Sequence, residues 1–486
     1  VRRIAIVGGG IAGLSVAYYL QQARRQATDV SYVLFEKSSR LGGVLHSERV
    51  DGCLIEAGAD SFLSEKPWAL ELCRELGIES QLIGSNDAQR KTWVAVKGKL
   101  HPLPEGLQFI VPTSSAGVQA SALFSAEGKR QIAAEREFPR PEHTENHGEQ
   151  NNNDESVGAF LQRHFGREFV ERVGDPLFAG IYGVGSQRLS AQAALPKFIE
   201  MERKHGSLIR AMESRNSPEM NERRPLFTSF RDGMQTLVDS VVSKLDAASI
   251  RLNQEAQSVI REGERWRISC TGSAESFDGL ILALPAPIAG QLLRQDFPEL
   301  AAKLQSIPYT SSMTVALGYE PSAMRSQTSP LPAGFGFLVS QTGSAKEERI
   351  EAKENMLACT FVHQKFAHRA PPGWALLRGF LGGEEKESDE AAVAAVRARL
   401  AELLGWKAEP AFTRVYRWPQ AMPVCEVGHL DRVAEIQRLC QQRPRLSLIG
   451  NAYVGIGIPD GIRQGKQAAA QILTPASAIL PSACDR

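Results

Sequence analysis

The chain has 486 residues, 43% of them hydrophobic and 23% charged, with a formal net charge of +1. That length exceeds a single ordinary core and predicts two or three domains, and the near-zero charge excludes the basic footprint of a nucleic-acid binder. Seven cysteines lie far apart without a CxxC pair, and no run approaches the roughly 18 apolar residues of a membrane span, so reduced thiols in a cytoplasmic protein are expected.

The chain opens directly on an apolar strand, Ile4 to Val7, which leaves no room for a signal peptide in this sequence. Gly8, Gly9, Gly10, Ile11, Ala12 and Gly13 follow, and then Leu14, Ala17, Tyr18 and Leu20 at helical spacing. Strand, glycines and helix in that order predict a dinucleotide-binding unit. Gly8 permits the turn, Gly10 lets backbone approach a pyrophosphate, and Gly13 lets the helix pack on the strand. A second strand, Tyr32 to Phe35, ends in Glu36, 23 residues after Gly13, where a carboxylate can accept ribose hydroxyls. Arg40 to Gly43 adds a second glycine turn with a cation beside it, and Leu54 to Ser61 a strand end with another glycine. An NAD site does not need this second glycine turn, whereas the arrangement closely resembles that of FAD-holding, amine-oxidase-like flavoproteins, and that resemblance implies FAD as the cofactor.

Residues 90–225 show mainly helical patterns, including Val157 to His164 and Phe169 to Val173. Within them 141–155 has no hydrophobic residue and predicts a mobile loop. Phe227 to Phe230 with the turn at Gly233, a hairpin around Glu262 to Glu264, and the run Asp278 to Leu284 return to the dinucleotide domain. From 301 to 417, apolar runs (Met313 to Leu317, Phe335 to Val339, Leu376 to Leu381) alternate with turns and predict an antiparallel sheet. Ala391 to Leu404 predicts a packing helix. Leu446 to Ile449 is a final strand, and a helix runs from about Pro459 to Leu473 with proline in its first turn.

These segments, together with "DSFLSEKP", "GKLHPLP", "DPLFAGIYGVGSQRLS", "FGFLV", "RWPQAMPVCEVGHLDR" and "GNAYVGIGIPDGIRQGKQAA", resemble the oxygen-dependent protoporphyrinogen and coproporphyrinogen oxidases of haem biosynthesis. The resemblance runs from Val1 to about Leu473. It implies an α/β, amine-oxidase-like flavoprotein. A discontinuous Rossmann-like FAD-binding domain (1–89, 226–300 and 418–475) is interrupted by a mainly helical insertion (90–225) and a substrate domain (301–417). Beyond the glycine loop and Glu36, it places flavin contacts on Lys37, Arg40, Gly42, Gly43, Val44, Gly58, Ala59, Asp60, Ser61, Ala256, Trp418, Ile456, Gly457 and Ile458. Ala256 departs from the family's usual valine. The segment Ile456 to Ile458 also has its own physical reading, since the helix amino terminus it leads into can stabilise negative charge on reduced flavin.

On the substrate side, a porphyrinogen needs flat apolar walls and a cation for its propionates. The resemblance implies Leu338 and Phe380 as walls and the Gly180 carbonyl facing pyrrole N–H groups. Mitochondrial-type enzymes carry arginine where this chain has Thr92, and the preceding Arg90 and Lys91 are the candidate propionate partners. His205 reads as structural. No acid–base or metal-ligand cluster is evident, which fits hydride transfer to a non-covalent flavin followed by O2 reoxidation to peroxide. The segment Gly450 to Gly465 contains no cysteine for a covalent flavin bond. Peripheral membrane contact, a homodimer and hand-over to the next haem-pathway enzyme complete the expected partners. The rival readings are an amine oxidase, a carotenoid-type desaturase and a flavin-bound subunit without turnover.

Overall fold

The computed structural model describes residues 1–139, 154–214, 225–327, 329–340, 356–383 and 388–474. Five parallel strands form one sheet, in the spatial order Ile250–Arg251, Val30–Phe35, Arg2–Val7, Gly279–Leu282 and Leu446–Leu448. Its central strands are continuous apolar runs because both faces are covered: Ile4, Ala5, Ile6, Leu280, Ile281 and Leu282 are fully buried. Helices Ile11–Arg25 and Ile458–Leu473 share a core with one face through Leu14, Ala17, Ile462 and Ile472. A meander, Ala256–Glu262, Arg265–Cys270 and Ser273–Phe277, packs on the other face through Val259, Trp266 and Phe277.

A second sheet has seven strands in the order Phe412–Pro423, Tyr309–Tyr319, Ala375–Gly382, Met356–Phe361, Gly336–Val339, Thr92–Val96 and Lys99–Pro102. Neighbours are antiparallel except for the parallel pair Gly336–Val339 and Thr92–Val96. These pairings move the expected domain boundaries. The 92–102 hairpin, assigned from sequence to the helical insertion, belongs to this sheet, and the Phe412–Pro423 strand carries the sheet past 417. Helix Pro298–Gln305, which straddles the boundary at 301, sends Leu300 and Leu304 into the core beneath the first sheet. Backbone pairing satisfies N–H and C=O groups whatever the chain separation, so sheet membership need not follow contiguous segments.

Helix Asp389–Leu404 covers one face of this sheet through Val396 and Leu400. It approaches closely because position 379 is glycine: a β-carbon there would stand 2.8 Å from a Val396 methyl. The helices between 115 and 214 pack around Phe160, Phe165, Phe169 and Phe178. Of the expected mobile loop 141–155 only Asp154 and Glu155 are described, and Asp154 is held, accepting from Ser190 Oγ at 2.8 Å and the Gly428 N–H at 2.9 Å. Six cysteines are free, five of them buried; Cys484 lies outside the described residues. Among the described residues no helix is long and apolar enough to cross a membrane.

Candidate functional site

The Arg2–Val7 strand ends in Gly8, whose φ is +108° and whose β-carbon, if present, would stand 2.3 Å from the Ala283 carbonyl oxygen. Only glycine fits there. A β-carbon at Gly13 would lie 1.9 Å from the Gly8 carbonyl oxygen, so the helix packs on the strand end at backbone contact. Gly10 differs. A β-carbon there would meet nothing within 4 Å, and Gly10 starts helix Ile11–Arg25 with no side-chain cap. Open space in front of an uncapped helix amino terminus fits a pyrophosphate. Ile11 and Ala12, in its first turn, lie beside Gly461 of the Ile458–Leu473 helix, 3.4 and 3.7 Å from where its β-carbon would stand.

Glu36 closes this cradle. Its carboxylate accepts the Gly9 N–H at 2.7 Å and the Ser38 N–H and hydroxyl at 2.8 Å each. Oε2, with one donor, retains accepting capacity for a ribose hydroxyl. The Gly42 N–H donates to the Gly9 carbonyl at 2.8 Å, tying the second glycine turn to the first. Arg40 donates to the Leu41, Gly43 and Leu45 carbonyls, so its guanidinium braces that turn. Lys37 is exposed, and Val44 is 41% exposed. Ala256 pairs with Cys270, two residues after Gln254, whose N–H bonds the Glu36 carbonyl at 2.9 Å.

Gly457, at φ +135°, precedes the second uncapped helix start, Ile458, with Ile456 just before it. Asp460 in that first turn is buried and pairs with Lys66. The two helices meet where a β-carbon on Gly465 would stand 2.7 Å from the Ala12 carbonyl oxygen. Their amino termini therefore lie side by side.

Between the two sheets runs Gly58 to Ser61. A β-carbon at Gly58 would lie 2.1 Å from the Val44 carbonyl oxygen, which draws this segment against the second glycine turn. Ala59 packs at the edge of the core under the helices. The Asp60 carboxylate pairs with Lys365 at 2.9 Å and accepts the Ser61 hydroxyl at 2.6 Å, so both side chains are engaged within the protein. Burial opposes ionisation of Asp60, but Lys365 and Arg378 outweigh it and hold the carboxyl far below its usual range. The Ala57 carbonyl accepts from three side chains of the second sheet: Thr314 Oγ1 at 3.0 Å, Arg378 Nη2 at 3.2 Å and Trp418 Nε1 at 2.9 Å. Glu56 lies 3.4 Å from the fully buried Arg369, yet burial outweighs this partner and pushes the carboxyl up to about 7.

The same sheet supplies a wall. Cross-strand partners Leu338, Ala358, Phe380, Thr314 and Tyr416 form one row, on the face turned away from helix Asp389–Leu404. A β-carbon on Gly180 would stand 3.0 Å from Leu338 Cδ2 and 3.8 Å from Ala358 Cβ, so Gly180 and Leu338 are brought together, with Phe380 next along the row. Gly180 sits in the last turn of helix Asp175–Tyr182, where carbonyls lack intrahelical donors. Thr92 pairs with Gly336 on the same face of the sheet. Arg90 and Lys91, just before it, are exposed, and Arg90 stands 3.9 Å from Asp87. The His205 carbonyl accepts from Arg210 at 3.0 Å at the end of helix Pro196–His205.

Sequence reasoning missed Thr314, Lys365 and Arg378. One signal was present: Arg378 is a charge inside the apolar run Leu376 to Leu381, where a buried cation needs a reason. Thr314 and Lys365 carry no such mark.

The model of the flavin containing amine oxidoreductase family matches residues 11–473. The coproporphyrinogen III oxidase of Bacillus subtilis (strain 168) is 30% identical, with 97% of this chain and 98% of that protein covered. The protoporphyrinogen oxidase of Bos taurus is 27% identical, covering 97% and 98%. A crystal structure from Exiguobacterium sp. 255-15, provisionally described as a protoporphyrinogen oxidase, superposes with a TM-score of 0.82 at 29% identity over 97% of this chain and 98% of that one.

Proposed function

The chain belongs to the flavin containing amine oxidoreductase family, and from that premise we propose that it oxidises a porphyrinogen, coproporphyrinogen III or protoporphyrinogen IX, to the porphyrin. The observation that carries this reading is end-to-end similarity, at about 30% identity, to proteins named for the first of these activities. FAD bound at the two helix amino termini would supply the two-electron acceptor for three dehydrogenations, with O2 as the final oxidant and H2O2 as its product.

The protein's own residues bind, orient and shield. Gly8 to Gly13, Glu36 and Arg40 to Val44 hold the dinucleotide end, while Gly58 to Ser61, Trp418 and Ile456 to Ile458 hold the flavin end. The row from Leu338 to Phe380 gives the macrocycle a flat apolar face, and the Gly180 carbonyl offers an acceptor to a pyrrole N–H. Arg90 and Lys91 sit at the rim for propionates. Over the three steps three hydrides leave bridging carbons and three protons leave, net two from pyrrole nitrogens and one from the fourth bridging carbon, each acidified by the oxidation beside it, so no dedicated strong base is required. The cytoplasm is the proposed compartment. The test is porphyrin fluorescence and O2 uptake with both porphyrinogens: three O2 consumed per porphyrin supports the reading, and absence of porphyrin with both substrates overturns it.

A further inference from the structure

We infer that Arg378 is a positioning residue that fixes the flavin segment relative to the substrate wall, an inference that rests on the function proposed above. The Arg378 guanidinium donates to two successive carbonyls, Ala57 and Gly58, at the start of the segment Gly58 to Ser61. Its carbon lies 4.8 Å from the centroid of the Phe380 ring, two residues along the same strand and on the same face. One side chain thus touches both the wall proposed for the macrocycle and the backbone proposed for the flavin. Arg378 is only 5% exposed, so its orientation is set by these partners.

The surroundings give it a second consequence. Lys365, Arg369 and Arg378 face two carboxylates, Glu56 and Asp60, in the buried layer behind Ala57 to Ser61. Asp60 pairs with Lys365 and Glu56 with Arg369, so Arg378 is the cation whose hydrogen bonds go to backbone carbonyls. Three cations against two carboxylates leave a positive excess beside this segment, which favours electron density arriving on a bound flavin. Position and charge therefore meet in one residue, and they can be separated. Lysine keeps the charge but has no planar fork to span two carbonyls, whereas methionine loses both.

The experiment compares wild type, Arg378→Lys and Arg378→Met, each reconstituted with FAD. The two-electron equilibrium is read by anaerobic dithionite titration against a reference dye, and the limiting rate of flavin bleaching by coproporphyrinogen III is read by stopped flow. For Arg378→Lys the bleaching rate is expected to fall about tenfold or more, with apparent substrate affinity within about threefold, because misplaced partners lose orientation rather than binding. For Arg378→Met the equilibrium is also expected to shift about tenfold toward oxidised flavin, roughly 30 mV. Unchanged bleaching in Arg378→Lys together with an unchanged equilibrium in Arg378→Met overturns the inference, even if both melt at lower temperature. If neither variant retains FAD, Thr314→Val, which removes one of three donors to Ala57, decides: slower bleaching supports the clamp and an unchanged rate overturns it. Wild type that neither porphyrinogen bleaches sinks the proposed function instead, and the methionine variant's equilibrium then decides the inference by itself.

Discussion

A β-carbon on Gly13 would stand 1.9 Å from the carbonyl oxygen of Gly8, whereas one on Gly10 would meet nothing within 4 Å. Two glycines of one motif thus do different jobs. Gly13→Ala forces helix and strand apart and should destabilise the fold by several kcal/mol (about 3 or more) through overpacking. Gly10→Ala, at φ −71° and ψ 177°, suits any residue. It should melt within a few degrees of wild type (about 3 °C) but weaken FAD binding about a hundredfold, since its methyl would enter the space proposed for the pyrophosphate. Thermal melts and FAD titration of the apoprotein separate the two.

Glu36→Gln keeps one acceptor for the Gly9 amide but replaces a charged acceptor by a neutral one. A loss of about tenfold in FAD affinity is expected, about 1.4 kcal/mol. FAD affinity unchanged from wild type, or falling by the same factor as FMN affinity, would show that Glu36 braces the loop without touching the ribose.

The fully buried His164 ring lies 2.9 Å from Glu135 and 3.4 Å from Glu202. Burial opposes its charge, but the two carboxylates outweigh burial and raise the imidazolium's pKa. A raised folded-state pKa means the protonated form is favoured by folding. Its contribution is complete below the unfolded value of about 6.5 and is lost as pH rises through the folded value. The wild-type melting temperature should therefore fall relative to that of His164→Gln as pH rises above about 6.5. Parallel curves would sink this reading of the cluster.

Replacing both Arg90 and Lys91 by alanine should raise KM for four-carboxylate coproporphyrinogen III by about tenfold, and less for two-carboxylate protoporphyrinogen IX, with kcat little changed. Both side chains are exposed, so folding should be unaffected. KM values unchanged from wild type for both substrates would rule out Arg90 and Lys91 as the propionate partners.

The strand, glycine turn, helix and second strand from Arg2 to Glu36 were legible because their signals are local: Gly8 to Gly13 and Glu36 fall within 29 residues. The sheet that carries Leu338 and Phe380 was legible as alternating runs, but its membership was not. Thr92–Val96 finds its parallel partner Gly336–Val339 more than 200 residues away, and periodicity says nothing about such pairing. Arg378 was absorbed into an apolar run because one charge hardly disturbs the average. Its role lies in carbonyls of Ala57 and Gly58, some 320 residues earlier. The side chain of Asp60, read from sequence as a cofactor contact, spends its charge on Lys365, a partner that only the folded chain brings near.

Mixing the FAD-loaded protein with coproporphyrinogen III under strict anaerobiosis separates porphyrinogen oxidation from its rivals. The flavin's visible absorbance is expected to bleach, coproporphyrin III fluorescence to appear at one porphyrin per three flavins reduced, and the yellow colour to return when O2 is admitted. Flavin that stays oxidised with both porphyrinogens, yet bleaches with an amine, would contradict porphyrinogen oxidation.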